Sequence, residues 1–143
     1  MPNIPLQVSD YIYQNWNVPG IDKDDDVYWN SWYTGKDDIT IHCSELITLP
    51  TPVTLPWYRF DYRSYIDINI FVTDNKGTNA PRRDLIRQYL EELINGDPSG
   101  LEPIGYDPVK IDSIMPRDEF DEDYRNNIFR LIVRLEMLAC KQF

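Results

Sequence analysis

The chain has little of the material from which catalytic and metal sites are usually built. It carries two cysteines, one histidine and six glycines in 143 residues. Cys43 and Cys140 lie far apart, which excludes the dense disulfide framework of a small secreted domain and predicts an intracellular, reducing compartment. His42 and two scattered cysteines cannot supply the four local ligands of a zinc site. Gly77 and Gly96 stand alone as punctuation, so no glycine-rich loop is present to cradle phosphate. Cations are scarce, with 14 Lys and Arg against 24 Asp and Glu and a net charge of −10. That balance is wrong for a chain that must displace counterions from nucleic acid or rest on an anionic membrane. Long apolar runs are missing too. The longest aliphatic run, Leu131-Ile132-Val133, is far too short to cross a bilayer, and no cationic, apolar leader opens the chain.

What is present is the composition of a globular domain with an aromatic excess. Apolar residues make up 42%, with ten Tyr and four Trp. Tyr and Trp join a large apolar body to a polar tip, which suits cores that also meet a partner. The length fits one domain, 1–143, able to bury a core without staples.

Hydrophobic periodicity divides the chain. Ile4, Val8, Tyr11 and Ile12 recur at helical spacing and predict a helix over about Pro5 to Trp16, opened by Pro5 and stopped by Asn17-Val18-Pro19-Gly20. Ile21 to Asp26 reads as an acidic loop. Val27 to Trp32 and Asp38 to Leu46 read as strands joined by a turn around Thr34-Gly35-Lys36, since Ile39, Ile41 and Cys43 alternate with Thr40, His42 and Ser44. Pro50, Pro52 and Pro56 cannot donate to a sheet ladder and predict a loop or irregular edge. Tyr62 to Thr73 is the clearest strand, with Tyr62, Ile66, Ile68, Ile70 and Val72 on one face. Asp74-Asn75-Lys76-Gly77 is a turn. A main helix follows over Asn79 to Asn95, capped by Thr78 or Asn79, with a stripe of Leu85, Ile86, Tyr89, Leu90, Leu93 and Ile94. A loop over Asp97 to Asp107, a strand Val109 to Met115, an acidic turn Pro116 to Asp123 and a strand Tyr124 to Cys140 complete the order. These elements predict an α+β fold, a mainly antiparallel sheet of about five strands with two helices packed on one face. Ile66, Ile68, Ile70, Leu85, Ile86, Leu90, Leu93, Leu131, Val133 and Leu135 form the expected core.

No constellation reaches the standard of a catalytic motif. Asp22-Lys23-Asp24-Asp25-Asp26 opens like a calcium loop, but the places that need Gly and Glu hold Val27 and Tyr33. Asp67, with Asp61, could serve a divalent-metal nuclease, yet no acid-x-Lys pattern follows. A cross-strand pair with Arg130 or Arg134 accounts for Asp67 more simply. His42 and Cys43 point to opposite faces of a strand and cannot form a nucleophile–base pair. Arg82 and Arg83 could attract an anion but read as surface residues. The chain is expected to be no enzyme and to need no cofactor or metal.

From Tyr65 onward the pattern is a strand Ile66-Asp67-Ile68-Asn69-Ile70-Phe71-Val72 and a helix Arg83 to Ile94. A strand around Val109 to Met115, an acidic turn and the Arg-bearing strand Tyr124 to Val133 follow. This order resembles the tail terminator, or tail completion, proteins of tailed phages and tailed archaeal viruses, and the N-terminal helix fits the same layout. The resemblance implies a non-enzymatic virion assembly protein of the tail and neck, assembled in the host cytoplasm. It would form a homo-oligomeric ring, a hexamer, that caps the tail tube protein and joins it to head–tail connector proteins. It implies no membrane and no sequence-specific nucleic-acid binding. Trp29, Trp32 and Trp57 are the interface candidates, expected to include at least one anchor. Asp24, Asp25 and Asp26 with Glu119, Asp121, Glu122 and Asp123 are the acidic residues expected to face the channel. Six copies at −10 each would carry −60, and DNA would slide along such a wall. The rival readings are another head–tail connector (a stopper or adaptor), an acidic module that sequesters a basic partner, and the Asp61–Asp67 nuclease. Metal-dependent DNA cleavage would single out the last.

Overall fold

A computed structural model describes residues 3–33, 39–52, 59–74, 80–123 and 125–142, with residues 47–52, 59–62, 74, 80, 104 and 139–142 described in backbone alone. The turns expected around Thr34-Gly35-Lys36 and Asn75-Lys76-Gly77, the caps at Thr78 or Asn79, and Pro56 and Trp57 lie outside the described residues.

Helix α1 spans Ile4–Gln14; the Asn3 side chain accepts from the Leu6 N–H and Pro5 occupies the first turn. Strands β1 (Val27–Trp29), β2 (Ile39–Pro52) and β3 (Arg59–Asp74) follow, then α2 (Ala80–Gly96), a single 3-10 turn (Glu102–Ile104), β4 (Tyr106–Asp121) and β5 (Asn126–Gln142). The strands form one sheet in the order β1-β2-β3-β5-β4. Every described pairing is antiparallel except β1 with β2, which run parallel with Val27 opposite Ile39. The architecture is therefore α+β, with a mostly antiparallel five-stranded sheet and two helices.

Register decides which residues share a face. Ile68 pairs with Cys43 on one side and Val133 on the other, so these side chains lie in one row. That face carries Ile39, Ile41 and Cys43 of β2, Ile66, Ile68, Ile70 and Val72 of β3, and Leu131, Val133, Leu135 and Met137 of β5. Val8 and Ile12 of α1 and Ile86, Leu90 and Ile94 of α2 join the same cluster, which places both helices on this face. The helices are also tied to each other: the buried Tyr89 hydroxyl donates to the Ile12 carbonyl at 2.7 Å. Trp16 packs edge-on against Tyr89 and Trp29, at 5.1 and 5.4 Å between ring centres. A β-carbon at Gly100 would collide with the Tyr11 hydroxyl, so glycine lets the loop after α2 close against α1.

Three expectations need correction, and a fourth is narrowed. Pro50 and Pro52, expected in a loop or irregular edge, sit in β2 beyond a register irregularity between Glu45 and Ile47. Proline is tolerated there because, among the described residues, β1 pairs only with Ile39 to Ile41 and no strand lies on the outer side of β2 further along. The acidic stretch Pro116 to Asp123 is mostly strand: β4 continues to Asp121, with Glu119 opposite Ile128 and Asp121 opposite Asn126. A charged, proline-bearing edge strand is a common guard against pairing with another chain. The first two strands make no hairpin, since they are parallel and β1 ends at Trp29. Leu85 is 37% exposed and Leu93 only partly buried, because Ile86, Leu90 and Ile94 mark the centre of the buried stripe and both flank it.

Candidate functional site

The face of the sheet away from the helices holds the polar chemistry, and the register arranges it in rows. Ser44, Asp67 and Arg134 share one row; His42, Asn69 and Ile132 share the next; Thr40, Phe71, Arg130 and Arg117 share a third. Asp67 is 7% exposed and meets Arg134 in a two-point contact, Nε to Oδ1 at 2.9 Å and a terminal nitrogen to Oδ2 at 3.2 Å. Charge-assisted bidentate pairing of this kind engages both carboxylate oxygens. At the far end, Glu136 lies 3.6 Å from Arg63 and 3.4 Å from Lys110, and the Tyr65 hydroxyl donates to it at 3.4 Å. Those exposed cations add little to stability.

Asp67 is thus placed in the cross-strand pair anticipated for it, against Arg134. The side chain of its supposed nuclease partner, Asp61, lies outside the described set. Asp67→Ala should lower stability by about 1–3 kcal/mol, since it strips the partner from a half-buried guanidinium. The reading as a structural pair also predicts no DNA cleavage with magnesium or manganese. Cleavage by the wild type that disappears in Asp67→Ala would reverse the assignment.

The third row is aromatic and cationic. The segment after β1 brings Trp32 across the sheet, where its ring meets Phe71 at 4.9 Å and His42 at 5.3 Å, both edge-on. Tyr33 stacks on Phe71 at 6.2 Å and donates its hydroxyl to Asp121 at 2.8 Å. The Arg130 guanidinium lies 5.2 Å from the Trp32 ring centre and 5.0 Å from that of Phe71, within cation–π range. One terminal nitrogen of Arg130 donates to Asn69 Oδ1 at 3.1 Å. Among the described residues its buried Nε has no hydrogen-bond partner, and neither do Thr40 Oγ1 and His42 Nδ1 on β2.

The three tryptophans proposed as anchors fall in different surroundings. Trp29 is half-buried, its indole N–H donates to the Lys23 carbonyl at 2.7 Å, and Tyr13 and Trp16 pack edge-on against it. Trp32 is 48% exposed. Trp57 lies outside the described residues. Strand spacing alone does not reveal that Trp32 reaches Arg130. The signal was a run of aromatics beyond a short strand, and its target depended on a register no single sequence displays.

The acidic residues fall into two groups. Asp22 to Asp26 form a turn locked by its own backbone. Asp22 Oδ1 accepts from the N–H groups of Asp24 and Asp25 at 2.8 and 3.1 Å, and Asp26 Oδ2 accepts from the Asp22 N–H at 2.8 Å. Those two backbone donors hold the Asp22 carboxyl below its usual pKa. Asp24 accepts from the Tyr13 hydroxyl at 2.5 Å and raises the phenol's pKa, so the turn is tied to α1. Glu119, Glu122 and Asp123 are exposed at the end of the β4–β5 hairpin, while Asp121 is half-buried against Tyr33. Among the described residues no group of three or more His, Cys, Asp or Glu side chains could hold a metal ion. Hollows of about 210 Å³ (Ser9, Asp10, Tyr13, Trp29, Asn30) and about 140 Å³ (Asn3, Pro5, Leu6, Asn30, His42, Cys43) are smaller than ordinary small-molecule sites. No helix among the described residues is long and apolar enough to cross a membrane. Set against known proteins, the chain matches no family profile and no curated sequence.

Proposed function

We propose that this chain is a non-enzymatic virion assembly protein, a tail terminator or tail completion protein. It works as a ring, a hexamer in the family it resembles, that caps the tail tube and joins it to the head–neck connector. The observation that carries the reading is the layout. A helix, three strands, a second helix and two long strands build one mainly antiparallel sheet with both helices on one face. Over the opposite face lie Trp32, which is 48% exposed, Tyr33 and Arg130, of the residue types that dominate interface energetics. Asp67, the side chain nearest to a catalytic role, is taken up by Arg134.

The test is a structure of the assembled particle, or crosslinking within it. Copies of the chain should occupy a closed ring at the end of the tail tube, with Trp32 or another aromatic of this face at a contact between chains. A single isolated copy in the particle, or a chain that never associates with the tube protein, would overturn the reading.

A further inference from the structure

Where α1 meets the end of β1 lies a hollow of about 210 Å³, lined by Ser9, Asp10, Tyr13, Trp29 and Asn30. Helical spacing puts Ser9 and Tyr13, four residues apart, on one side of α1, with Asp10 beside them. Asn30 completes the wall. Its φ of 59° turns the chain at the end of β1, and its N–H donates to the Ile41 carbonyl at 2.8 Å, so the sheet fixes its position. Ser9, Asp10 and Asn30 are polar and idle. Asp10 and Asn30 are exposed and Ser9 only 2% exposed, yet none of these side chains has a hydrogen bond or ion pair among the described residues. A hydroxyl set as deeply as that of Ser9 is cut off from bulk water, and its partner must come through the hollow.

The lining selects a cation. All three idle side chains can accept a hydrogen bond, Asp10 carries a full negative charge, and the rest of the wall is the rings of Tyr13 and Trp29, 5.5 Å apart. Tyr13 already serves one cation: Lys23 Nζ lies 4.3 Å from its ring centre and 3.3 Å from its carbonyl oxygen. The surroundings are negative too, since the Tyr13 hydroxyl donates to Asp24 and ties the Asp22–Asp26 turn beside the hollow. An ammonium suits this wall better than a guanidinium. Its three N–H groups match three separate acceptors, whereas a planar fork gains most from the two oxygens of one carboxylate. The chain's own described lysine side chains are engaged elsewhere, Lys23 by Tyr13 and Lys110 by Glu136.

We infer that this hollow takes the lysine side chain of a partner protein, its ammonium on Ser9, Asp10 and Asn30 and its alkyl stem along Tyr13 and Trp29. The volume suits the end of one side chain, so the remaining affinity comes from the chain around that lysine. The acidic turn beside the hollow adds a field that draws basic segments and repels nucleic acid. Little ordering is lost on docking, because the turn holds itself through Asp22 and the Trp29 indole N–H is anchored on the Lys23 carbonyl. This contact goes beyond the ring reading and does not need it, since the hollow is built within one copy of the chain.

The test titrates the full chain with a capped pentapeptide of one lysine among glycines at low ionic strength, followed by the NMR signal of the Trp29 indole N–H. The signal should shift saturably, with a dissociation constant of about 1–10 mM. A norleucine peptide, which keeps the stem and loses the charge, should bind at least about tenfold more weakly, and an arginine peptide at least about threefold more weakly. Asp10→Asn should weaken the lysine peptide at least about tenfold. Asp25→Asn removes the same charge from the neighbouring turn and should cost less than about threefold. Both positions are exposed, so both variants keep the fold. An unmoved Trp29 signal, or a norleucine or arginine peptide that binds as tightly as lysine, would overturn the assignment. Equal losses in the two variants would overturn it as well, because net charge alone would then gather the peptide. None of these results bears on the ring, which the structure of the particle decides.

Discussion

Leu90→Ala is expected to lower the unfolding free energy by about 2–5 kcal/mol, measured by urea denaturation at neutral pH. Leu90 lies on α2 at 1% exposure within the cluster that includes Ile68 of β3 and Val133 of β5, both 0% exposed. Truncation removes the transfer energy of the lost methyl groups and leaves a cavity that two stiff strands cannot close. The position on the helix sharpens the test. Leu85, 37% exposed on the same helix, should tolerate alanine at a cost below about 1 kcal/mol, because it leaves no comparable void. Equal costs at both positions would mean that α2 is rotated from the orientation described here.

The contrast between Leu85 and Leu90 shows what the sequence can and cannot disclose. Periodicity located α2 and its apolar side, but a stripe of six residues is wider than the contact that a sheet makes with a helix. The margin residues are settled only by packing. The same holds for the strands. Alternation over Ile66, Ile68 and Ile70 and over Leu131, Val133 and Leu135 identified the covered face, because a two-residue period survives any pairing. Which strands pair, and in which register, is not local information. The pairing of Asp67 with Arg134 could be anticipated from charge on strands of matching pattern. The opposition of Arg117 to Arg130 could not, because it depends on an irregularity in β4 between Ile111 and Ser113 that shifts the register. Acidic composition misled at Pro116 to Asp121, and proline left loop and edge strand undivided at Pro50 and Pro52, for one physical reason. Both stretches lie on strand edges, where a missing N–H or a charge is no obstacle. The parallel pairing of β1 with β2 left no trace in composition at all.

Alkaline solution should weaken the fold through groups that burial keeps neutral, and Cys43 is one whose share a single substitution can remove. Its side chain faces the core from β2, opposite Ile68, and burial pushes the thiol from 9.0 up to about 12. Tyr89 adds in the same sense, since burial raises its phenol while the hydroxyl donates to the Ile12 carbonyl. The sign follows from proton counting. Above about pH 9 the unfolded chain has released the Cys43 proton and the folded chain still holds it, so unfolding is favoured as pH rises. The loss begins near the unfolded pKa and levels off near the folded one, a window of about pH 9 to about pH 12. A gap of about three units corresponds to about 4 kcal/mol when fully expressed. Urea denaturation at a series of pH values should give a flat stability below about pH 9 and a fall above it. Cys43→Ala separates this from packing. The lost sulfur lowers the whole curve by a constant amount, whereas the missing ionisation reduces its slope above about pH 9 and leaves the Tyr89 contribution. A variant whose curve is displaced but falls as steeply as the wild type would show that Cys43 does not carry this share of the pH dependence.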